Sequence, residues 1–328
     1  MKQLDVSIII VSWNTRNILR NCLQSIYEHA GKIDFEVIVI DNASTDSSSE
    51  MVRNDFKNAI LIENSQNCGF AAATNQGITK AGGRYVLLLN SDTVILDNAI
   101  SKVIAVADAN PDAAIIGCRV LNPDYTLQPT CFMFPSILNL LLSSTYLYKL
   151  FPRSRFFGRE RMTWWDRNDT REVEVVTGCF MLVRKEAIEQ VGVLDERFFM
   201  YAEETDWCYR FKKTGWKIMF TPLAQIIHFG GGSSKKIKHQ MYLHLRGSIL
   251  LFFKKHRSRP VYVFACLLVS LFFLLRMPYW LLKSLLSQKE RSRYYQRAKM
   301  LFIGAHSAIF GAENLSRKSE TYAGKTCD

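Results

Sequence analysis

The sequence predicts an α/β fold with a mainly parallel sheet flanked by helices, followed by a basic, apolar helical region at the C-terminus. Three observations carry this. Continuous β-branched runs alternate with helical stretches between residues 6 and 113, which is the rhythm of a parallel sheet with crossover helices. The 328 residues are 48% hydrophobic, enough for a large core, so wholesale disorder is excluded. The formal charge of +12 is segregated. Residues 1–234 carry 24 Lys and Arg against 26 Asp and Glu, whereas residues 235–328 carry 18 against 4. A basic last quarter points to an anionic partner such as lipid or nucleic acid.

The first strand is Val6–Val11 (VSIIIV), an unbroken apolar run of the kind covered on both faces. Arg16–His29 follows, with Ile18, Leu19, Cys22, Leu23 and Ile26 on one helical stripe. Phe35–Ile40 (FEVIVI) is a second buried strand, Ala59–Ile62 a short third and Tyr85–Leu89 (YVLLL) a fourth, with a helix over Phe70–Ala81. Crossovers between such strands are right-handed. After residue 113 the rhythm breaks. Leu121–Pro135 is punctuated by proline and reads as irregular or hairpin-like, Ser136–Phe151 is Leu-rich, and residues 153–165 are basic and aromatic. Strand character returns at Val173–Val183 and Lys217–Phe220, and Thr205–Thr214 reads as a helix stopped by Gly215. Lys235–His256 reads as a basic helix.

Val261–Leu282 is the most apolar window and has nearly the length of a bilayer span, interrupted by Arg276 and Pro278. An interfacial or re-entrant helix fits it better than a clean span, with a soluble core helix as the alternative. The N-terminal apolar run is too short for a signal-peptide core. Eight cysteines include no C-x-x-C pair and no zinc-like spacing, and most lie in apolar stretches, which suits a reducing compartment.

Acidic and amide residues gather where strands end, the edge at which open α/β sheets bind ligands. Asp41 follows FEVIVI and Asp92 lies three residues beyond YVLLL, although either alone is equally a helix or turn cap. No G-x-G-x-x-G and no Walker A loop is present, so a dinucleotide site and a P-loop are unsupported. Glu203, Glu204 and Asp206 crowd three carboxylates beside the aromatic run Phe198-Phe199-Met200-Tyr201. Mutual repulsion and apolar walls raise proton affinity, as a general base near neutral pH requires. Ordinary helix N-terminal chemistry accounts for one or two of these acids. His228 precedes a Gly-rich, Ser-containing loop, residues 230–234, able to cradle phosphate, and a divalent ion on a diphosphate suits hard ligands such as Asp92.

In order, VSIIIVSWN, VIVIDNASTD, NCGFAAATNQG, LLLNSD, GCFMLVRKEA, FFMYAEETDWCYR and HFGGGSS resemble the family 2 glycosyltransferases of GT-A fold, nearest in style to their bacterial rhamnosyltransferase-like branch. The resemblance covers about residues 4–256. Segregated charge around the apolar window marks residues 235–328 as membrane-associated, while the resemblance implies that residues 1–234 are the catalytic domain, with a donor-binding half to about 117 and an acceptor and base half from about 118. The resemblance places Ser12, Asn14 and Asp41 on the nucleotide, with Asp41 accepting from the N–H of uracil or thymine. Asn67, Gly69 and Asn75 line the donor pocket. Asn90-Ser91-Asp92 stands at the D-x-D metal motif, with Asn90 in place of the first Asp, Asp92 as ligand and His228 on the metal or diphosphate. The acidic pair makes Glu204 the base, supported by Glu203 and Asp206. The implied reaction is inverting transfer from a nucleoside-diphosphate sugar, of dTDP-rhamnose or UDP-sugar type, to a glycan or polyprenyl-linked acceptor in cell-surface polysaccharide synthesis. It implies Mg2+ or Mn2+, while the basic residues around the apolar window predict an anionic membrane surface, on the cytoplasmic face of a bacterial inner membrane, and no nucleic acid. A catalytically impaired nucleotide-sugar-binding protein and a basic nucleic-acid-binding protein are the alternatives.

Overall fold

A computed structural model describes residues 4–230 and 238–315. The chain opens with β1 (Val6–Ser12), α1 (Arg16–His29), β2 (Phe35–Asp41), α2 (Ser48–Asp55), β3 (Ile60–Glu63), α3 (Phe70–Lys80) and β4 (Tyr85–Leu89). It continues through β5 (Thr93–Ile95), α4 (Ala99–Ala109), β6 (Ala113–Leu121), β7 (Leu127–Gln128), β8 (Cys131–Phe132), α5 (Ile137–Thr145) and α6 (Leu147–Leu150). Then come β9 (Arg171–Glu172), β10 (Val175–Val176), β11 (Phe180–Arg184), α7 (Lys185–Val191), α8 (Glu203–Lys213) and β12 (Lys217–His228). Four helices follow: α9 (Lys238–His256), α10 (Arg259–Leu274), α11 (Met277–Leu286) and α12 (Arg291–Ile309).

The central sheet runs β3-β2-β1-β4-β11-β6-β12-β5. Its first four strands are parallel, as the unbroken apolar runs require. β11 enters antiparallel between β4 and β6, whereas β6 and β12 are parallel. Val173–Val183, expected as one strand, is divided into β10 and β11 by Thr177-Gly178-Cys179, which turns toward the strand ends. Lys217–Phe220 is the start of a longer strand, β12, whose register shifts between Thr221 and Gln225 before it reaches His228. The Leu121–Pro135 stretch does contain a hairpin, β6 with β7.

Residues on alternate sides of each strand build two cores. Ile8, Ile10, Val37 and Leu87 pack with α1, α2 and α4, and Ile9, Ile38, Ile40 and Leu88 pack with α3, α7 and α8. Gly77 lets α3 approach this second face, because a Cβ there would meet Ile9 Cγ2 at 2.7 Å. A third core joins α5, α9, α10 and α12, and it takes in Phe198 and Ala202 from the segment entering α8. The apolar window becomes α10 and α11, which meet at Leu275-Arg276 within a 28-residue rod, Arg259–Leu286.

Candidate active site

Parallel register brings the ends of β1 and β2 to one edge, with Ser12 opposite Asp41. β4 ends beside them at Asn90-Ser91-Asp92, and β12 delivers His228 opposite Thr93 of β5. The backbone ties this edge together. Asn90 N–H donates to Cys179 O at 3.1 Å, and Phe229 N–H donates to Asp92 O at 2.9 Å. A cleft of about 340 Å3 lies over it, lined among others by Trp13, Asn67, Asn90, Asp92, Gln128, Glu203, Glu204 and His228.

His228 and Asp92 face each other, Nε2 to Oδ1, at 3.1 Å, with Asn90 Nδ2 3.3 Å from the same ring nitrogen. On its other side His228 Nδ1 lies 2.6 Å from Gln128 Oε1. Gln128 Nε2 donates to Asn122 Oδ1 at 2.8 Å, which fixes Oε1 as the acceptor and therefore Nδ1 as the protonated ring nitrogen. Nε2 is then the unprotonated nitrogen, accepting from Asn90 Nδ2 and lying beside the Asp92 carboxylate. Asp92 Oδ1 and His228 Nε2 thus converge as two ligand atoms that fit a divalent ion, beside Asn90, whose amide presents its nitrogen here. Among the described residues no group of three or more His, Cys, Asp or Glu is placed to hold a metal unaided. A divalent ion there takes oxygens beyond the described His, Cys, Asp and Glu side chains, as Mg2+ and Mn2+ shared with phosphates do.

On the opposite wall α8 begins at Glu203, two residues earlier than Thr205. Tyr201 and Ala202 both carry positive φ, 68° and 61°. Two consecutive left-handed non-glycine residues cost about 1–3 kcal/mol each and need their surroundings to hold them. Ser248 Oγ, from α9, donates to Met200 O at 2.9 Å, and Phe198 and Ala202 are buried in the third core. Glu203 is 5% exposed and Glu204 half-buried, and the Oε2 atom of each has no hydrogen-bond partner. Burial pushes the Glu204 carboxyl up to about 7. Burial, with the neighbouring Glu204, holds Glu203 well above the carboxylate range. The helix dipole works the other way, but its 0.3–1 kcal/mol is smaller than the effect of burying a carboxylate.

Asp206 lies away from the cleft. Its fully buried carboxylate meets Arg210 Nε at 2.9 Å, Lys255 Nζ at 2.8 Å and His256 Nε2 at 2.6 Å. Asn75 is likewise outside the cleft. Its Nδ2 donates to Leu194 O and Glu196 Oε1, each at 2.9 Å, and its Oδ1 accepts from Leu194 N–H at 3.1 Å, so it fastens α3 to the segment before α8.

Gly69 sits at φ 86°, where a Cβ would meet Phe199 O at 2.6 Å, and Phe70 N–H donates to that same carbonyl at 2.8 Å. The Asn67–Gly69 turn therefore locks the donor-side wall to the acid-bearing wall. Ser12 Oγ lies 2.9 Å from Thr15 Oγ1, and Asn14 Oδ1 accepts from Thr45 N–H at 2.7 Å, so both brace the loops around Asp41. Asp41 Oδ2 accepts from Ser44 N–H at 2.9 Å, whereas its buried Oδ1 has no partner. An orphaned carboxylate oxygen of this kind is suited to an N–H donor such as a pyrimidine base.

Sequence reasoning missed Gln128, which no local pattern marks, and Trp13 and Asn42, which lie within motifs already singled out. Asn42 Oδ1 accepts from Asn64 Nδ2 and Cys68 N–H, and its Nδ2 donates to Asn67 Oδ1 and Gly69 O, so it orders the Asn67–Gly69 turn. Gly230 is described, but Gly231, Gly232, Ser233 and Ser234 of the glycine loop lie outside the described residues.

Comparison with known proteins gives a family. The model of glycosyl transferase family 2 matches residues 7–192, more than half of the chain. An N-acetylglucosaminyl-diphospho-decaprenol L-rhamnosyltransferase of Mycobacterium tuberculosis is 28% identical over 203 residues, covering 58% of this chain and 66% of its own length, just under two thirds. A low-salt glycan biosynthesis hexosyltransferase of Haloferax volcanii is 26% identical over 282 residues, 83% of this chain and 84% of that one. Among solved structures, a mannosyltransferase of Pyrobaculum calidifontis in complex with GDP-Man and Mn2+ superposes with a TM-score of 0.55 over 94% of this chain and 88% of that one, at 15% identity. GalNAc-T7 with UDP, GalNAc and Mn2+ reaches a TM-score of 0.50 over 69% and 44%, also at 15% identity. The fold is therefore of the GT-A type, and the chain belongs to glycosyl transferase family 2, with rhamnosyltransferase-like relatives.

Proposed function

We propose that this chain is an inverting glycosyltransferase that moves a sugar from a nucleoside-diphosphate sugar, of dTDP-rhamnose or UDP-sugar type, to a hydroxyl of a glycan or polyprenyl-linked acceptor in cell-surface polysaccharide synthesis. One observation carries the reading. A single cleft holds the Asn90, Asp92 and His228 group on one wall and two proton-hungry carboxyls, Glu203 and Glu204, on the other.

Glu204 is the general base. It takes the proton of the acceptor hydroxyl as that oxygen bonds to the anomeric carbon, and the bond to the diphosphate breaks with its electron pair leaving on the phosphate oxygen. A base at about 7 accepts a proton readily and still spends much of its time ionised at neutral pH. Glu203 keeps its proton and shields the pair from a second charge. Asp92 and His228 would hold the divalent ion, with Asn90 adding its oxygen once its amide is turned, and Mg2+ or Mn2+ when bound would offset charge on the departing diphosphate. Asp41 reads the base, while Ser12, Asn14, Asn67 and Gly69 shape the loops around it. Asn75 and Asp206 support this wall indirectly, through the contacts described above.

We further propose that residues 1–234 form the catalytic unit and that residues 235–328 hold it on the cytoplasmic face of the cell membrane. Basic residues flank the Arg259–Leu286 rod, and Val263, Phe264, Leu267, Leu271 and Leu275 are exposed along it. The reading is tested by incubating purified protein with a panel of nucleotide sugars and a polyprenyl-linked acceptor, and following nucleoside diphosphate release. Metal-dependent, acceptor-stimulated release from a pyrimidine nucleotide sugar supports it. Binding without release from every donor favours a catalytically impaired nucleotide-sugar-binding protein.

A further inference from the structure

The catalytic half of the chain carries an exposed apolar and basic cap that the reactions above do not use. After α6, residues 151–164 fold into consecutive turns held by their own backbone, with Ser154 N–H donating to Phe151 O at 3.0 Å and Gly158 N–H to Ser154 O at 2.9 Å. Phe157 stacks on Phe151 at 5.2 Å and meets Phe156 edge-on at 5.3 Å. This ordered scaffold pushes its outer rings into solvent. Leu150 is 73% exposed, Phe151 52% and Phe156 54%. Lys149, Arg153 and Arg155 are exposed beside them, and residues 146–161 contain five basic residues against one acid, Glu160.

Large aromatic rings held outward by a rigid turn and ringed by cations have the chemistry of an element that enters an anionic lipid headgroup layer. The cap is continuous with the apolar rod. Arg276, between α10 and α11, donates to Ser144 O at 2.6 Å and lies over the Tyr146 ring at 5.0 Å. It is also close to the cleft in sequence and hydrogen bonding, since Met133 N–H donates to Glu160 O at 2.8 Å and Gln128–Thr130 line the cleft just before.

We propose that residues 147–161 form a second membrane-docking element, built into the catalytic half, which inserts Leu150, Phe151 and Phe156 among anionic lipid headgroups. With the α10–α11 rod it gives two points of attachment, so the bilayer fixes the orientation of the cleft as well as its location. The inference rests on the membrane reading of the C-terminal region for its first point of attachment.

The full-length protein and two variants, Phe151→Ser/Phe156→Ser and Arg153→Glu/Arg155→Glu, are compared by co-sedimentation with phosphatidylcholine vesicles with and without phosphatidylglycerol. Near-UV circular dichroism and UDP titration check the fold and the donor site. Arg153→Glu/Arg155→Glu is expected to lose affinity for the anionic vesicles by at least about 30-fold, from about 1 kcal/mol for each of two basic residues, and Phe151→Ser/Phe156→Ser to lose affinity at least about tenfold through lost apolar burial. Hydrogen exchange on the unaltered chain is expected to show vesicle-dependent protection at 147–161, a readout that needs no variant to fold. Unaltered affinity of both variants, with no protection at 147–161, overturns the proposal and leaves the rod as the sole anchor. Failure of the full-length chain to bind any vesicle overturns the membrane reading itself. A dimer that the substitutions convert to monomer reassigns the cap to contact between copies of this chain and likewise overturns it.

Discussion

Helices α1 and α10 bury similar inner faces and differ completely on the outside. α1 packs Leu19, Cys22, Leu23 and Ile26 against the sheet and exposes Arg16, Asn17, Asn21, Gln24 and Glu28. α10 packs Ala265, Cys266, Val269 and Phe273 into the third core and exposes Val263, Phe264, Leu267 and Leu271. The inner faces obey one rule, because both meet protein. The outer faces differ in chemistry, polar on α1 and apolar on α10, and the membrane reading proposed above puts lipid against the second. Buried contacts therefore tell little about where a helix lives, and its outer stripe tells most.

The largest effect expected concerns the cleft, where no outer surface is involved. Glu204→Gln should retain nucleotide binding by calorimetry while turnover falls about 10²–10⁴-fold. Near-normal turnover would move the role to Glu203. The rate for the unaltered enzyme should rise with pH through about 7, as the base becomes ionised. Stability has the opposite sign. A carboxyl held at about 7 in the fold against an ordinary 4.5 contributes stability that is full below the ordinary value and is lost as pH rises through about 7. Thermal melts should accordingly show Glu204→Gln gaining on the unaltered chain at pH 8 and not at pH 4.

The two faces of α10 should separate next. Phe273→Ala, on the inner face, is expected to cost about 3–5 kcal/mol in denaturant unfolding. Leu267→Gln with Leu271→Gln, on the outer face, should leave stability within about 0.5 kcal/mol and increase the detergent-free soluble fraction. If the single inner substitution and the outer pair destabilise alike, the outer stripe is packed in the working protein and the contrast with α1 collapses.

Asp206→Asn tests the junction between the regions. Neutralising this fully buried carboxylate, which leaves its partly exposed basic partners without it, costs up to about 3–5 kcal/mol. Burial alone would raise the Asp206 carboxyl, but His256, Lys255 and Arg210 overcome it and hold the group below its ordinary 3.8. Its contribution is thus present above 3.8 and disappears as pH falls through the lower folded value. The difference between Asp206→Asn and the unaltered chain should be full at pH 7 and shrink under acid conditions.

The smallest effect belongs to Asp41. UDP or dTDP should bind more tightly than ADP, and Asp41→Asn should narrow the gap by about tenfold, the worth of one hydrogen bond to a charged acceptor. Equal affinities in the unaltered protein would make Asp41 a turn residue only.

What was legible in the sequence was what local pattern determines. FEVIVI and YVLLL read as strands buried on both faces, and their ends deliver Asp41 and Asn90-Ser91-Asp92 to one edge because parallel strands share a direction. β5 and the antiparallel entry of β11 were not legible, since both depend on partners far away in the chain. Gln128 shares that obscurity. It acts on a histidine 100 residues later, and its own surroundings are an ordinary hairpin. Asp206, expected as a support for the base, lies outside the cleft for a different reason. Acids at a helix start look alike in sequence, and only the helix phase separates Glu203 and Glu204, turned to the cleft, from Asp206, turned to α9. Asn75 was read as donor-pocket lining, because nothing local discloses that Leu194 and Glu196 would consume its hydrogen bonds.

The Asp206 junction has a further consequence, which is metric. Lys255 and His256 grip the helix that carries Glu203 and Glu204, and only Arg257 and Ser258 separate that grip from the first residue of α10. So short a connection leaves no slack between the proton acceptor and the apolar rod. With the rod in lipid and Glu204 as base, as proposed above, the fold would act as a gauge of fixed height: a lipid-anchored acceptor would present its hydroxyl to Glu204 only when its polar headgroup has the matching length.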